Sequence, residues 1–506
     1  AGFQRTAIVG IEGRIPVKNK IVRIIQLSME EDSCREISDI GHVRIYTTDR
    51  LGIPLIETVT YPDMKTPDEV AEAAHYIRFL TRSTGKVRTG IGAAREDVNV
   101  SIQGGTRVEI KGVAHISLIP ELTHNEAFRQ KSLLEIRKEL LSRIPDRASW
   151  KIRSMVAGRD VFKNPPEIIR DALERKELLV AVNLPGFHGL LSFFNQPRRT
   201  FADEISDRLK VIAGIEKPNL MHSEEQKTES DPDPFQTVRH LLQAQEKDAQ
   251  LLFWGPEADI QTGLETIAER CALAFTGVPN ETRKSMPDGT TLFERVLPGP
   301  NRMYPDTDSA PVSIIQELID RIQNRLPKGV DRRLQQLQEW RVPPDTFHYL
   351  LRNNLIPWVE RIAADFKVTP KFTATLLAHR FKHLQGRVRP DRPFDFQRIY
   401  DLFAFIREQN LQLEILFDML PVAYEHPDLD FSSVLADLHF SRRTPDHVFA
   451  HIPVLRRTFT EIRTSRDPHA GRRWMMKELR PLAAGNVALP ELAAAISAGD
   501  DHDRSL

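Results

Sequence analysis

The chain has 506 residues, of which 41% are hydrophobic and 28% charged, with 70 basic and 70 acidic residues. This composition is typical of a globular protein long enough for three or four domains, and the balanced charge by itself indicates no partner. No apolar run reaches the length of about 18 residues that a membrane span needs, and no signal-peptide core follows Ala1. Two isolated cysteines, Cys34 and Cys271, make no disulfide framework or zinc site, so we expect a cytoplasmic protein without a membrane segment.

The first part of the chain is rich in β-branched and apolar residues. This pattern predicts strands at 6–11, 21–27, 43–47 and 53–59. A helix should follow, because Thr66, Pro67 and Glu69 form a helix start and apolar residues then recur at helical spacing. Further on, the sequence predicts a β-hairpin over 98–110 and a helix near 125–141.

From about residue 177 the pattern changes to alternating strand-like and helix-like segments. Residues 178–183 and 251–254 are predicted as buried strands and 260–273 as a helix. The polar stretch at 223–234 is predicted as an exposed loop. Beyond residue 314 the chain is predicted to be almost wholly helical.

Acidic residues in two of the predicted β-rich segments are candidates for metal binding. Glu30 lies in Met29-Glu30-Glu31-Asp32 at a strand end, and Glu57 lies in the next β-rich segment. Carboxylate oxygens at such positions can bind a hard cation such as Mg²⁺. On the residues alone, a solvated turn explains the first motif better. Glu57 is less easily explained as surface because apolar residues flank it, although an acidic side chain on the wet face of a strand is common.

The predicted hairpin has one apolar and one polar face. Strand alternation places on one face Val98, Val100, Ile102, Val108 and Ile110. The opposite face carries Asp97, Asn99, Ser101, Arg107, Glu109 and Lys111. Basic side chains beside carboxylates suit a nucleotide and metal site, because they offset charge that moves in phosphoryl transfer. On pattern alone, a solvent-facing surface remains the simpler interpretation.

The C-terminal region concentrates positive charge, whereas the sequence contains no P-loop, no G-x-S-x-G and no H-E-x-x-H motif. The basic residues of this region are Arg442, Arg443, Arg456, Arg457, Arg463, Arg466, Arg472, Arg473, Lys477 and Arg480. A basic helical surface is typical of a nucleic-acid contact, and a soluble helical surface is the alternative.

Short motifs follow one another in a specific order along the chain. They are Gly2-Phe3-Gln4-Arg5-Thr6, Met29-Glu30-Glu31-Asp32, Leu51-Gly52-Ile53-Pro54-Leu55-Ile56-Glu57, Arg95-Glu96-Asp97-Val98-Asn99-Val100-Ser101, Thr106-Arg107-Val108-Glu109-Ile110-Lys111, Glu281-Thr282-Arg283 and Arg302-Met303-Tyr304-Pro305-Asp306-Thr307-Asp308. Their order and spacing resemble those of the B/E family of tRNA-dependent amidotransferase subunits. The segment that begins Leu184-Pro185-Gly186-Phe187 resembles an insert of bacterial aspartyl-tRNA synthetases, which B subunits lack, so the resemblance favours the archaeal E type.

The resemblance implies an α+β fold in several parts. It implies a mixed α/β catalytic cradle at 1–176, an aspartyl-tRNA-synthetase-like insert at 177–275, a return segment of the cradle at 276–315, a helical domain at 316–426 and a YqeY-like helical tail at 427–506. In the family, a further cradle segment precedes the first motif and supplies a metal-binding His and Glu. We therefore expect an N-terminally truncated cradle that holds part of the metal site.

The resemblance also implies an activity, that of an ATP-dependent carbon–nitrogen ligase. ATP would phosphorylate the γ-carboxyl of glutamate esterified to tRNA(Gln), and ammonia from an asparaginase-like (GatD-type) amidase would displace the phosphate and give Gln-tRNA(Gln). The implied cofactors are ATP and Mg²⁺, and the implied assembly is a hetero-oligomer. The implied metal ligands are Glu30 and Glu57, and the implied nucleotide and acyl-phosphate residues are Arg95, Asp97, Arg107, Glu109 and Lys111.

The positive C-terminal surface then becomes a candidate tRNA contact, through Arg456, Arg457, Arg472, Arg473 and Lys477. Two alternatives to the E-type enzyme stay open. A tRNA-binding scaffold without catalysis would keep the insert and the basic tail. A B-type subunit acting on Asp-tRNA or Glu-tRNA is the other alternative, and the insert argues against it.

Overall fold

The computed structural model describes residues 6–18, 20–90, 92–158, 161, 165–225, 235–297, 310, 312–462, 467 and 469–498. The chain divides into two compact units, one of residues 1–78 and 88–319 and the other of residues 79–87 and 320–506. Several predicted features lie outside the described residues: most of the first motif, the motif at 302–308, the loop at 226–234, Arg463 and Arg466. In the part of the chain that is described, no helix is long and apolar enough to cross a bilayer.

The first unit begins with strands and one helix. They are β1 (Thr6–Val17), β2 (Lys20–Glu31), β3 (Arg35–Ile40), β4 (Val43–Thr47), β5 (Pro54–Thr60) and α1 (Pro67–Ser83). The first, second and fifth strands form an antiparallel sheet in the order β1-β2-β5, and β3 pairs with β4 in a separate hairpin. The sequence predicted all of these except β3, which is largely polar. Ile15, Val17, Val22 and Ile24 of the sheet pack against Ala73 of α1.

The chain continues with β6 (Glu96–Val100), β7 (Val108–Val113), α2 (Ile119–Arg143), β8 (Arg153–Val156), α3 (Glu167–Glu174), β9 (Leu178–Leu184), β10 (Phe194–Gln196), β11 (Arg199–Thr200), α4 (Phe201–Ala213), β12 (Leu220–His222), α5 (Gln236–Leu241), β13 (Ala249–Gly255), α6 (Ile260–Ala274), β14 (Glu281–Ser285) and β15 (Thr291–Val296). A second sheet has the order β15-β14-β7-β6. In it β14 runs parallel to β7, so a strand far along the chain returns to the predicted hairpin.

A third sheet, in the order β12-β13-β9-β8, has helices against both faces. We call this sheet with α3, α4, α5 and α6 the central module. Val180 and Val182 of β9 face one core and Leu179 and Ala181 face the other, which explains why this strand is a continuous apolar run. Both β8 and α3 precede residue 177, where we expected the module to begin. Because β8 is short and mostly exposed, its sequence contains little apolar signal.

After α7 (Gln316–Gln323), the second unit is built from helices. They are α8 (Val330–Glu339), α9 (Phe347–Arg352), α10 (Ile356–Phe366), α11 (Pro370–Thr375), a π-helical turn (Leu376–Phe381), α12 (Lys382–Gln385), α13 (Gln397–Glu408), α14 (Leu416–Glu425), α15 (Phe431–Asp437), α16 (Pro445–Phe449), α17 (Ile452–Ile462), α18 (Ala470–Ala483) and α19 (Leu489–Ala498). The described residues beyond 315 contain no strand, which confirms the predicted helical region. The last four helices share a core around Val448, Met475, Leu479 and Ile496.

Candidate functional site

Four acidic side chains from two sheets approach one another in the first unit. Glu30 and Glu57 share one face of the first sheet, because Ser28 pairs with Glu57 and Glu30 lies two residues beyond Ser28. Asp97 and Glu109 come from β6 and β7 of the second sheet. The pKa of Glu57 is raised to about 7. The largest cause is partial burial, followed by the negative charge of Glu30 and a hydrogen bond with it, and then by the charges of Asp97 and Glu109. The structure therefore brings together both predicted metal ligands and two predicted catalytic residues.

Glu30 and Glu57, which share a hydrogen bond, are the two carboxylates of this group whose chemistry suits a divalent cation. Neighbouring carboxylates repel one another unless a proton or a cation lies between them, and this repulsion adds to the effect of burial on the pKa of Glu57. Mg²⁺ prefers oxygen ligands and commonly binds through one or two carboxylates together with waters and phosphate oxygens. Thr6 orients one carboxylate, since its hydroxyl donates to Glu30 Oε1 at 3.3 Å. Within the described residues, no three His, Cys, Asp or Glu side chains form a group that could hold a metal ion.

The hairpin β6–β7 has the two faces that alternation predicts. Its inner face is buried, at Val98, Val100, Val108 and Ile110. On the outer face Asp97 Oδ1 accepts a hydrogen bond from the backbone N–H of Gly112 at 2.9 Å, and Asp97 Oδ2 lies 3.8 Å from Lys111 Nζ. Arg107 is exposed in the loop before β7. The outer face thus places an ammonium group beside the carboxylates.

Arg95, the remaining predicted catalytic residue, is tied to a buried aspartate. Asp32 is 5% exposed and binds two arginines: Arg50 Nε lies 2.7 Å from its Oδ2 and Arg95 Nη2 lies 3.0 Å from its Oδ1. The backbone N–H of Asp32 also donates to the carbonyl of Ile53 at 2.8 Å. Asp32 therefore anchors the end of β2 to the segments that precede β5 and β6. Sequence reasoning placed Asp32 in a motif with Glu30 but assigned it no role, because its partners are distant in the chain.

Strand β14 adds a residue to the site that sequence reasoning missed. Thr282 is opposite Glu109 in the parallel pairing of β14 with β7, and its Oγ1 donates to Glu109 Oε2 at 3.2 Å. Thr282 is fully buried, at 0% exposure. The motif Glu281-Thr282-Arg283 was the available signal, but the sequence does not reveal that this strand pairs with the hairpin.

The five predicted tRNA contacts lie on α17 and α18 of the second unit. Arg456 is half-buried and donates to the carbonyl of Ile496 at 2.6 Å, while Arg473 forms an ion pair with Asp467. The other three, Arg457, Arg472 and Lys477, are exposed, and none of them has an ion pair with another described residue. These three are the members of the set best placed to meet an external anion.

Residues 1–320 match the family described as the GatB/GatE catalytic domain. The match spans the carboxylate group, both sheets that position it and the whole central module. The chain therefore belongs to the GatB/GatE family, as the order of its motifs predicts.

Three relatives with similar sequences are each named as the E subunit of glutamyl-tRNA(Gln) amidotransferase. That of Methanocaldococcus jannaschii is 34% identical over 440 residues, which cover 86% of this chain and 69% of the relative. The E subunit of Sulfurisphaera tokodaii is 35% identical over 428 residues, which cover 83% of this chain and 67% of the relative. The E subunit of Methanopyrus kandleri is 34% identical over 436 residues, which cover 85% of this chain and 67% of the relative. These matches confirm the predicted resemblance to archaeal E subunits.

Proposed function

We propose that this chain is the subunit of a glutamyl-tRNA(Gln) amidotransferase that activates the glutamyl group by phosphorylation. The observation that carries the proposal is the group of four carboxylates at Glu30, Glu57, Asp97 and Glu109, adjacent to Lys111, within the region that matches the GatB/GatE catalytic domain. The names of the E-type relatives supply the substrate, glutamate esterified to tRNA(Gln).

The proposed chemistry has two steps. An oxygen of the glutamate γ-carboxylate attacks the γ-phosphorus of ATP, ADP leaves, and a γ-glutamyl phosphate forms. Ammonia then attacks the acyl carbon, the bond from that carbon to the phosphate oxygen breaks, one N–H proton passes to the departing phosphate, and the product is the amide. A free carboxylate has no adequate leaving group, and phosphorylation provides one. Positioning and charge stabilisation account for most catalysis in such transfers, so the protein needs little covalent chemistry of its own.

The side chains of the site have distinct proposed roles. Glu30 and Glu57 would hold Mg²⁺, which when bound neutralises negative charge on the phosphates. Asp97 and Glu109 complete the acidic group, and Lys111 beside Asp97 would supply positive charge to a bound phosphoryl group. Arg107 is exposed and available to an anion, whereas Nη2 of Arg95 already donates a hydrogen bond to Asp32.

The remaining parts of the proposal concern partners and domains. Ammonia would come from an asparaginase-like amidase of the GatD type in a hetero-oligomer, and the complex would act in the cytoplasm. The central module would correspond to the aspartyl-tRNA-synthetase-like insert and the last helices to the YqeY-like tail. The exposed residues Arg457, Arg472 and Lys477 would contact tRNA.

A tRNA-binding scaffold without catalysis is the second candidate. It is favoured by one observation: the described residues contain no complete group of three metal ligands. A scaffold would bind Glu-tRNA(Gln) without consuming ATP.

Trapping of the acyl phosphate separates the two candidates. The purified protein is incubated with ATP, Mg²⁺, Glu-tRNA(Gln) and hydroxylamine, and the esterified amino acid is analysed for γ-glutamyl hydroxamate together with ADP. We expect both products with Glu-tRNA(Gln) and neither with uncharged tRNA. Tight binding of Glu-tRNA(Gln) without hydroxamate or ADP would exclude the proposed function and support the scaffold.

A further inference from the structure

Strand β14 has two sides with different surroundings, although all of its first three residues are buried. Glu281 and Thr282 are 0% exposed and Arg283 is 1% exposed. Strand alternation directs Thr282 to one side and Glu281 and Arg283 to the other. On its side Thr282 donates a hydrogen bond to Glu109 Oε2 of the candidate site. The other side of β14 faces charged residues of α2 and the central module.

Glu281 and Arg283 hold β14 through buried ion pairs. Glu281 Oε1 lies 2.6 Å from Arg283 Nη1 and 3.2 Å from Arg129 Nη2 of α2, and Glu281 Oε2 lies 2.5 Å from Arg208 Nη2 of α4. Arg129 and Arg283 also approach Glu204 of α4, at 2.8 and 3.4 Å. The side chains of these residues are at most 4% exposed.

A buried network of this kind favours one arrangement of its elements. Removal of a charge from water is costly, and the cost is offset only when every charge keeps its partners in good geometry. A shift of β14 relative to α4 would break several pairs together. The network therefore fixes β14 against the central module, and Thr282 moves only if β14 moves.

We propose that Thr282 is a positioning residue for Glu109, and that the central module sets the location of Thr282 through the ion pairs of Glu281 and Arg283. The inference rests on the proposed function, because orientation of Glu109 matters only if the acidic group binds a cation and phosphates. The hydrogen bond from Thr282 engages one carboxylate oxygen and restrains rotation of the Glu109 side chain. Glu109 is one of the acidic residues beside Glu30 and Glu57, so its orientation affects the charge presented to a cation that those two residues would hold. Removal of hydrogen-bond partners that orient the groups around a metal typically lowers metal affinity by about 10- to 100-fold.

Substitutions that change the hydroxyl of residue 282 test the first half of the proposal. Thr282→Val removes the hydroxyl and keeps the branched shape, and Thr282→Ser keeps the hydroxyl. Thr266→Val is the matched control, because Thr266 is buried in α6 and its hydroxyl donates only to the Thr262 carbonyl at 2.7 Å. The readouts are Mn²⁺ affinity by electron paramagnetic resonance without ATP, kcat and KM for Glu-tRNA(Gln), and the midpoint of thermal unfolding.

We expect Thr282→Val to weaken Mn²⁺ binding about tenfold and to lower kcat, with KM for Glu-tRNA(Gln) unchanged. Thr282→Ser should retain wild-type Mn²⁺ affinity, and Thr266→Val should change only the midpoint. Wild-type Mn²⁺ affinity in Thr282→Val, or an equal loss in Thr266→Val, would overturn the positioning role. If the wild-type protein forms no acyl phosphate, the proposed function fails, while the Mn²⁺ comparison still decides whether Thr282 positions Glu109.

The second half of the proposal concerns the central module. Arg208→Lys and Glu204→Asp each retain the charge but change its reach, so both should fold while loosening the restraint on β14. We expect Mn²⁺ affinity to fall about threefold in each, in the same direction as in Thr282→Val. Wild-type Mn²⁺ affinity in both variants, with a lowered unfolding midpoint, would show that the network serves stability alone.

Discussion

The carboxylate group and the buried ion-pair network use the same kinds of side chain in opposite electrostatic settings. Glu204 is almost fully buried, and burial alone would raise its pKa, but Arg129, Arg283 and Arg270 outweigh burial and hold its pKa well below the ordinary value. Glu57 retains exposure to solvent, yet partial burial and the nearby carboxylates, Glu30 first, raise its pKa to about 7. Burial raises the pKa of both glutamates, so the opposite directions of the two pKa shifts follow from the opposite signs of the neighbouring charges. Arginines neighbour Glu204 in the network, whereas the groups that raise the pKa of Glu57 besides burial are other carboxylates.

The largest effect should follow from removing one carboxylate of the site. Glu57→Gln or Glu30→Gln should lower acyl-phosphate formation about a thousandfold or more, because the electrostatic contribution of a bound metal is worth several kcal/mol. Binding of Glu-tRNA(Gln) should be nearly unchanged. Glu36→Gln, on the exposed strand β3, is the matched control. Wild-type turnover in either site variant would show that its carboxylate does not bind the metal.

Removing a charge from the network should act on stability instead. Glu204→Gln removes the carboxylate that Arg129 and Arg270 share, and we expect the free energy of unfolding to fall by about 3–5 kcal/mol. Urea unfolding measures the change, with Glu269→Gln on the exposed side of α6 as control. A loss below about 1 kcal/mol would show that Glu204 contributes no more to stability than a member of an ordinary surface ion pair.

The C-terminal arginines and lysine should have a smaller effect that depends on salt. Removal of residues 428–506 should weaken binding of Glu-tRNA(Gln) and leave phosphorylation at saturating tRNA in place. Replacing Arg457, Arg472 and Lys477 by Gln should reduce the slope of log affinity against log salt by about two to three, because each phosphate contact releases a counterion. Arg473→Gln should change the slope less, since Asp467 already offsets its charge. An unchanged slope in the triple variant would leave these residues as soluble surface.

The smallest effect concerns stability of the metal-free protein against pH. Because the native pKa of Glu57 is raised from 4.5 to about 7, its contribution to stability is fully present below pH 4.5 and is lost as pH rises through 7. Glu57→Gln should therefore become more stable than wild type above pH 7, by about 1 kcal/mol after allowance for solvent screening. Urea titrations at pH 5 and 8 without metal measure the difference, and Mg²⁺ should reduce it. A difference that does not change with pH would contradict the assigned repulsion.

The sequence predicted local features of the site well and distant pairings poorly. Alternation correctly assigned Val98 and Asp97 to opposite faces, because a half-buried strand has a period of two residues. The proximity of Glu30 to Glu57 followed from a family resemblance, since neither pattern nor spacing indicated it. The sequence did not predict the contact of Thr282 with Glu109, because this contact depends on the parallel pairing of β14 with β7, which are distant in the chain.

The ion pairs of the buried network were even less predictable from the sequence, because they also join residues that are distant in the chain. Arg129, Glu204 and Glu281 come from three separate elements, and a single sequence marks charged residues as exposed by default. Nothing in the local pattern of α2 or α4 indicates that a guanidinium group lies in the core. Only the packing of the central module against β14 makes these charges mutual partners.

Binding of a metal by the acidic group through Glu57 is tested most directly by carbon-13 NMR of the glutamate carboxyls. The Glu57 resonance is identified by its absence in Glu57→Gln and is titrated with pH, first without metal and then with Mg²⁺. We expect a pKa near 7 without metal and a shift to below the ordinary value of 4.5 when Mg²⁺ is bound. A Glu57 pKa that Mg²⁺ leaves unchanged would contradict the assignment of this site.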